Sequence, residues 1–225
     1  MSPKRKPVIF CDFDGTITMS DNIVAIMKHF SPPGYEPIMQ DILDRRITLL
    51  EGVSAMFALI PSSRKDEVID FVLGQAGIRE GFDTFLQYIR SQDIEFFVTS
   101  GGMDFFIQPL LAPFDIPADH IYCNSADFSK EAIEIVWPHT CQPPCENGCG
   151  MCKTTVMRRY PQEHYTRILI GDSLTDFEGA KIADLVYSRS ILTTKCQELG
   201  VPHVPFETFH EIVNDLTTKL EQGVL

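Results

Sequence analysis

Three strand-length apolar runs constrain this chain more than any other feature. They are Val8-Ile-Phe-Cys11, Ile94-Glu-Phe-Phe-Val98 and Arg167-Ile-Leu-Ile170. Each stops at small or polar residues: Asp12, then Thr99-Ser100-Gly101-Gly102, then Gly171-Asp172-Ser173. Runs that are almost continuously apolar, without in–out alternation, suit strands covered on both faces. The segments between them carry helical spacing. That alternation predicts an α/β fold on a parallel, Rossmann-like sheet, where ligands sit beyond the carboxyl ends of the strands. Asp12, Ser100 and Asp172 all fall at such ends.

The first interval holds too many helices for one crossover. Ile23, Ile26, Met27 and Phe30 recur at helical spacing before Pro32-Pro33-Gly34 breaks the pattern. Ile38, Met39, Ile42 and Leu43 follow, then the apolar positions of 49–60, then Val68, Ile69, Phe71 and Val72 ahead of Gly74 and Gly77. This predicts a helical cap over the strand ends, spanning 19–81, on a core made of 1–18 and 82–225. Beyond it the pattern predicts helices over 80–90 and 103–111, short strands between 120 and 136, and a Cys/Pro/Gly-rich loop over 137–153. Helices over 154–160, 175–183 and 206–220 and a short strand at Leu185–Tyr187 complete the reading.

Composition excludes several classes of partner. The formal net charge of −12 repels nucleic-acid phosphates and anionic membranes, so neither is expected to bind. The same field repels a small phosphate ester unless a metal or local cations reverse it at the site. The basic start, Met1 to Pro7, runs straight into the first strand without the apolar stretch of a secretory signal, and no run is long enough to span a membrane. A cytoplasmic location is therefore expected, and the seven cysteines read as thiols or metal ligands before disulfides.

Asp12-Phe-Asp14-Gly-Thr16 puts two acids at i and i+2 at a strand end, with Gly15 free to turn the chain so that both face one ligand. Alone, the string also fits a plain turn. Gly171-Asp172-Ser-Leu-Thr-Asp176 sets a second pair one helical turn apart, able to approach one ion or merely to cap a helix. Ser100 reads equally as an N-cap, and Lys153 as a solvated lysine. Together, in chain order, the four strings are far more specific. They resemble the motifs of the haloacid dehalogenase (HAD) superfamily, spread over most of the chain.

That resemblance implies a Mg²⁺-dependent phosphoric monoester hydrolase. Asp12 is the implied nucleophile, forming an aspartyl phosphate, and Asp14 the general acid and then base. Dehalogenating members lack an acid at that second position. Asp12, the main-chain carbonyl of Asp14 and Asp172 would hold Mg²⁺, with Asp176 orienting that shell. Ser100 and the N–H groups of Gly101 and Gly102 would bind phosphate at a helix N-terminus, and Lys153 would neutralise its charge.

An all-helical insertion between the first two motifs is similar to the C1-capped, phosphoserine phosphatase-like members. Those carry a glutamate nine residues after the nucleophile, where this chain has Asp21. They also carry an arginine that clamps the substrate carboxylate, where this chain reads Met56-Phe57-Ala58-Leu59-Ile60. A thioether cannot make that bidentate pair. Asp21, Met56 and Phe57 are thus the specificity candidates. Met56 and Phe57 suit an apolar or sulfur-bearing tail, or else are simply core residues of a cap helix; Arg45 or Arg46 would be a substitute clamp.

Within the superfamily, Phe10-Cys-Asp-Phe-Asp-Gly-Thr-Ile-Thr18, Ser100-Gly-Gly102 and the Cys-rich segment before Lys153 resemble one family. It is the 2-hydroxy-3-keto-5-methylthiopentenyl-1-phosphate phosphatases of methionine salvage, whose substrate bears a methylthio group and no carboxylate. The alternatives are a phosphatase for another small ester, such as phosphoserine or phosphoethanolamine, and a zinc-binding interaction protein on a HAD scaffold.

Cys141, Cys145, Cys149 and Cys152 place four thiols directly ahead of Lys153. They fit a tetrahedral Zn²⁺ site, although only the last two have Cys-x₂-Cys spacing; reduced thiols in a stiff loop, or a disulfide, fit as well. His139 is the one histidine placed to join them. Cys11 should point away from Asp12 across its strand, and Trp137 and Phe128 should pack under the hairpin.

Overall fold

β1 (Lys6–Cys11) lies at the centre of the sheet because nothing in its second half can face water: Val8 to Cys11 are fully buried. The structure, a computed structural model, describes residues 5–225; the first four residues of the basic start lie outside them. β1 is flanked by β2 (Glu95–Met103) and β5 (Tyr165–Gly171), both parallel to it. β3 (Ile121–Asp127), β4 (Glu134–Val136), β6 (Leu185–Ser188) and β7 (Val204–Pro205) complete seven strands in the order β4-β3-β2-β1-β5-β6-β7. Only the β3–β4 hairpin is antiparallel. The expected α/β fold is the one observed.

The side chains of β1 alternate between two cores. Ile9 and Cys11 join one with the helical insert, whereas Val8 and Phe10 join the other with Val156, Met157 and Leu169. Both faces of the sheet are thereby covered, as the continuous apolar runs require. Chain order departs from β1 toward β2 on one side and resumes with β5 on the other, so the switch point falls between β1 and β5. Crevices at such points are where open α/β sheets bind ligands.

Four helices follow β1: α1 (Asn22–Phe30), α2 (Tyr35–Leu43), α3 (Leu49–Phe57) and α4 (Lys65–Gln75). Asp21 caps α1 by accepting from Val24 N–H at 2.9 Å, and Thr48 and Glu51 form a capping box on α3. The insert is closed at its base. Met19 N–H donates to the Gly77 carbonyl and Arg79 N–H to that of Ile17, each at 2.8 Å, so the chain leaves and returns side by side. Above that base, α4 packs on α6 (Asp104–Leu111) and α3 on β4. Trp137 and Phe128 pack toward the insert as well: Trp137 Nε1 donates to Ser54 Oγ at 3.0 Å, and the Lys65 ammonium of α4 lies over the Phe128 ring, 5.1 Å from its centroid.

α5 (Phe82–Ser91), α7 (Lys153–Met157), α8 (Phe177–Ala180), α9 (Ser190–Leu199) and α10 (Phe209–Glu221) cover the rest of the sheet. Three local expectations are corrected. β2 does not stop at Val98; it continues through a bulge to Met103. The helix read over 175–183 is a 3₁₀ turn, Leu174–Asp176, followed by the short α8. α9 and β7 have no counterpart in the sequence reading; α9 buries only Leu192 and Cys196, too sparse a stripe to register as a period. No helix among the described residues is long and apolar enough to cross a membrane.

Candidate active site

Asp14 and Gly15 form the two central residues of a type II turn, with φ/ψ of −69°/122° and 76°/−11°. The second position of that turn needs a positive φ, which glycine adopts without strain. The turn reverses the chain directly after β1 and brings Asp12 and Asp14 to the carboxyl edge of the sheet. It also brings Gly15 against Asp172, at the end of neighbouring β5: a Cβ on Gly15 would sit 2.4 Å from Asp172 Oδ2. Gly15→Ala is therefore expected to displace Asp172, raising the Mg²⁺ concentration for half-maximal activity about tenfold, as read by a Mg²⁺ titration.

Carboxylate oxygens of Asp12, Asp172 and Asp176 lie within 4.8 Å of one another. Lys153, the first residue of α7, is buried beneath them. Its Nζ is 2.6 Å from Asp12 Oδ1 and also pairs with Asp176. Asp176 is saturated besides: it accepts from the N–H groups of Asp172 and Ser173 at 3.1 and 3.0 Å and from Ser173 Oγ at 3.1 Å. Three carboxylates facing one ammonium leave a surplus of negative charge. Burial opposes the Lys153 ammonium, but the charges of Asp12 and Asp176 outweigh it and hold its pKa above the usual lysine value. Burial first, and Asp176 second, push Asp12 well above the usual carboxylate range and Asp172 up to about 6. A cluster of hard oxygen donors with excess negative charge fits a divalent cation such as Mg²⁺.

Asp14 points elsewhere. Asn22, at the start of α1, donates to its Oδ1 from the main chain at 3.1 Å and from Nδ2 at 2.6 Å. Ser100 Oγ stands 3.5 Å from Asp14 Oδ2. Burial, reinforced by the charge of Asp21, pushes Asp14 up to about 7 against the opposing Asn22 hydrogen bonds. A carboxyl poised there can hold or release a proton near neutrality. Gly102 leaves room for it, since a Cβ there would come within 2.5 Å of Asp14 Oδ2.

The structure thus brings Asp12, Asp14, Ser100, Gly102, Lys153, Asp172 and Asp176 together. It corrects the setting of the glycines: Ser100, Gly101 and Gly102 belong to the bulged end of β2, not to a helix N-terminus, and Gly102 N–H donates to Ser100 Oγ at 2.9 Å. Met56 and Phe57 are buried in the core of the insert, Met56 at 3% exposure. Phe57 joins a chain of rings through Phe105 and Phe106 to Phe13, next to Asp12. Arg46 is engaged by Asp41 and Asp44 at the surface, where Arg45 is also exposed. Met56→Arg would bury a guanidinium without a partner; it is expected to cost on the order of 3 kcal/mol, read by urea denaturation.

Three residues that hold the candidate site had no sequence motif to announce them. Asn22 holds Asp14. Arg79 is buried, and its guanidinium donates to the carbonyls of Thr16, Gly15 and Thr18 at 2.7, 2.8 and 3.2 Å. Arg189 adds a second donor to Gly15 at 2.7 Å. A lone arginine far along the chain carries no local pattern; an Asn at a helix start is the one signal that was available.

The model of the haloacid dehalogenase-like hydrolases matches residues 9–181. The chain belongs to that family. Among the relatives of this HAD-like hydrolase is a 2-hydroxy-3-keto-5-methylthiopentenyl-1-phosphate phosphatase of Brevibacillus brevis, 53% identical over 94% of this chain and 96% of that one. Another, of the same description, from Geobacillus thermodenitrificans, is 48% identical over 95% and 96%. Among solved structures, the phosphoserine phosphatase of T. onnurineus superposes with a TM-score of 0.69 at 16% identity, covering 95% of this HAD-like hydrolase and 96% of that chain. At that identity the likeness is one of fold. A phosphoserine phosphohydrolase-like protein from Francisella tularensis shares it, with a TM-score of 0.68 at 15% identity over 92% and 98% of the two chains.

Proposed function

We propose that this HAD-like hydrolase removes the phosphate of 2-hydroxy-3-keto-5-methylthiopentenyl-1-phosphate, the reaction that belongs to methionine salvage. The observation that carries this reading is the roughly half identity, end to end, with relatives of that activity. The site supplies the chemistry. Asp12 attacks phosphorus with a carboxylate oxygen while the ester oxygen departs with the proton of Asp14. Asp14, now a carboxylate, takes a proton from the water that attacks the aspartyl phosphate; inorganic phosphate leaves and Asp12 is restored. Asn22 keeps Asp14 in place through both steps. Ser100 and the N–H groups around it receive the phosphate oxygens, and Lys153 offsets the charge of the nucleophile and the phosphoryl group.

Asp12, Asp172 and the main-chain carbonyl of Asp14 would hold Mg²⁺, which supplies charge neutralisation and polarisation of the phosphoryl group. Asp176 stands behind them, its oxygens already engaged by Lys153 and by Asp172 and Ser173. We assign the cap to residues 19–81, hinged where Met19 and Arg79 pair with Gly77 and Ile17. Within it, Met56 and Phe57 shape an apolar interior suited to a methylthio tail, and Asp21 sets the charge felt by Asp14.

Phosphate release from the methylthio ester, phosphoserine and phosphoethanolamine, with and without Mg²⁺, tests the reading. Expected is a kcat/KM at least about a hundredfold higher for the methylthio ester, all of it Mg²⁺-dependent, since an apolar cap interior offers a charged head group no partner to offset its desolvation. Preference for phosphoserine would leave the mechanism standing and overturn the substrate.

A further inference from the structure

We propose that Cys141, Cys145, Cys149 and Cys152 bind one structural zinc ion, and that this tetrathiolate fixes the root of Lys153. The four Sγ atoms lie within 4.8 Å of one another. Cys141 Sγ is 3.5 Å from Cys149 Sγ and 3.6 Å from Cys145 Sγ. Four sulfurs around a tetrahedral zinc, with bonds of about 2.3 Å, stand roughly 3.8 Å apart. The thiols are all free, and they converge on one point from positions spread over twelve residues of the loop. Four soft thiolates with no open position make a closed, structural site rather than a catalytic one. His139 does not join them: its ring packs edge-on against Tyr122.

The surrounding segment explains why an ion is needed. Between β4 and α7 there is no helix or strand, so no regular ladder and no apolar stripe offsets the entropy of ordering it. Metal binding is a way for such a segment to hold one shape. The Cys149 N–H already donates to Cys141 Sγ at 3.4 Å. The loop is also tied to both halves of the molecule. Leu50 N–H, at the start of α3, donates to the Gly148 carbonyl at 3.2 Å, and Gln142 N–H donates to Thr155 Oγ1 of α7 at 3.2 Å. Cys152 is the N-cap of α7, and Lys153 is the first residue of the helix. Anchoring Cys152 therefore anchors the backbone from which Lys153 reaches Asp12 and Asp176. The ion itself is independent of the substrate; its consequence for Lys153 rests on the catalytic reading above.

Elemental analysis of the full-length protein, dialysed against EDTA, is expected to find about one zinc per chain. Refolding with Co²⁺ is expected to give sulfur-to-cobalt charge-transfer bands and the intense visible bands of tetrahedral cobalt. Cys149→Ser should abolish these signals, whereas Cys196→Ser, outside the cluster, should leave them. Removing the zinc with a thiol-reactive mercurial followed by a chelator and excess dithiothreitol is expected to lower kcat about tenfold with less change in KM, and adding Zn²⁺ back should restore it. Less than one zinc in ten chains, stoichiometric iron, or a disulfide among the four cysteines would overturn the site. A kcat unchanged in the zinc-free protein would overturn the link to Lys153. A protein that binds zinc but fails every phosphate ester would sink the proposed function while leaving the metal site intact.

Discussion

Asp12→Asn is expected to turn over the methylthio ester at no more than about one ten-thousandth of the wild-type rate. An amide nitrogen or oxygen cannot form the aspartyl phosphate, and the neighbouring carboxylates are otherwise engaged: Asp176 is saturated, Asp14 is held by Asn22, and Asp172 accepts from Thr16 Oγ1 at 3.2 Å. The substitution keeps the shape of the side chain and removes one of three clustered negative charges. Folding should therefore survive, and in EDTA the variant should melt no lower than the wild type. Rapid-quench measurement of phosphate release, beside a thermal melt, checks both halves. Appreciable activity would remove Asp12 from the role of nucleophile.

Lys153→Met should be the second most damaging change, for a different reason. It removes the buried cation that pairs with both Asp12 and Asp176. Taking one partner from a buried ion pair leaves uncompensated charge, which costs about 3–5 kcal/mol. Loss of the cation that offsets phosphate charge should lower kcat by about 10²–10³-fold. The two effects separate with Mg²⁺. A divalent cation among the carboxylates offsets part of the lost charge, so the variant's melting temperature should rise with added Mg²⁺ more than the wild type's does. Equal shifts would mean that the lysine and the metal do not share the same carboxylates.

Much of the site was legible because its residues end strands. A buried parallel strand announces itself as an apolar run; Asp12 follows such a run immediately and Asp172 one residue later. Asp14-Gly15 was readable as a turn because the type II geometry demands what the sequence places there. Less legible was everything that depends on a partner from elsewhere. Arg79 reaches back to three carbonyls of the turn that follows Asp12, and Arg189 comes to the same turn from far along the chain. Neither sits in a pattern, since hydrogen bonds to main-chain carbonyls require no particular sequence at the accepting end. α9 escaped notice because two buried side chains do not make a period.

By itself, then, the sequence determined the α/β class, the strand ends that carry the acids, the helical insert and the chemistry that four ordered motifs imply. The first three follow from period and spacing, which are local and survive without knowledge of the fold; the chemistry follows from the resemblance of the ordered motifs to those of the HAD superfamily. Tertiary structure alone decided the rest. It carried β2 through a bulge to Met103, so that Ser100 and Gly102 face Asp14 from a strand. It buried Met56, and it set Lys153 between two carboxylates. It also drew four irregularly spaced cysteines to one point. Each of these depends on which distant residues the sheet order brings together, and that information is in no single stretch of the chain.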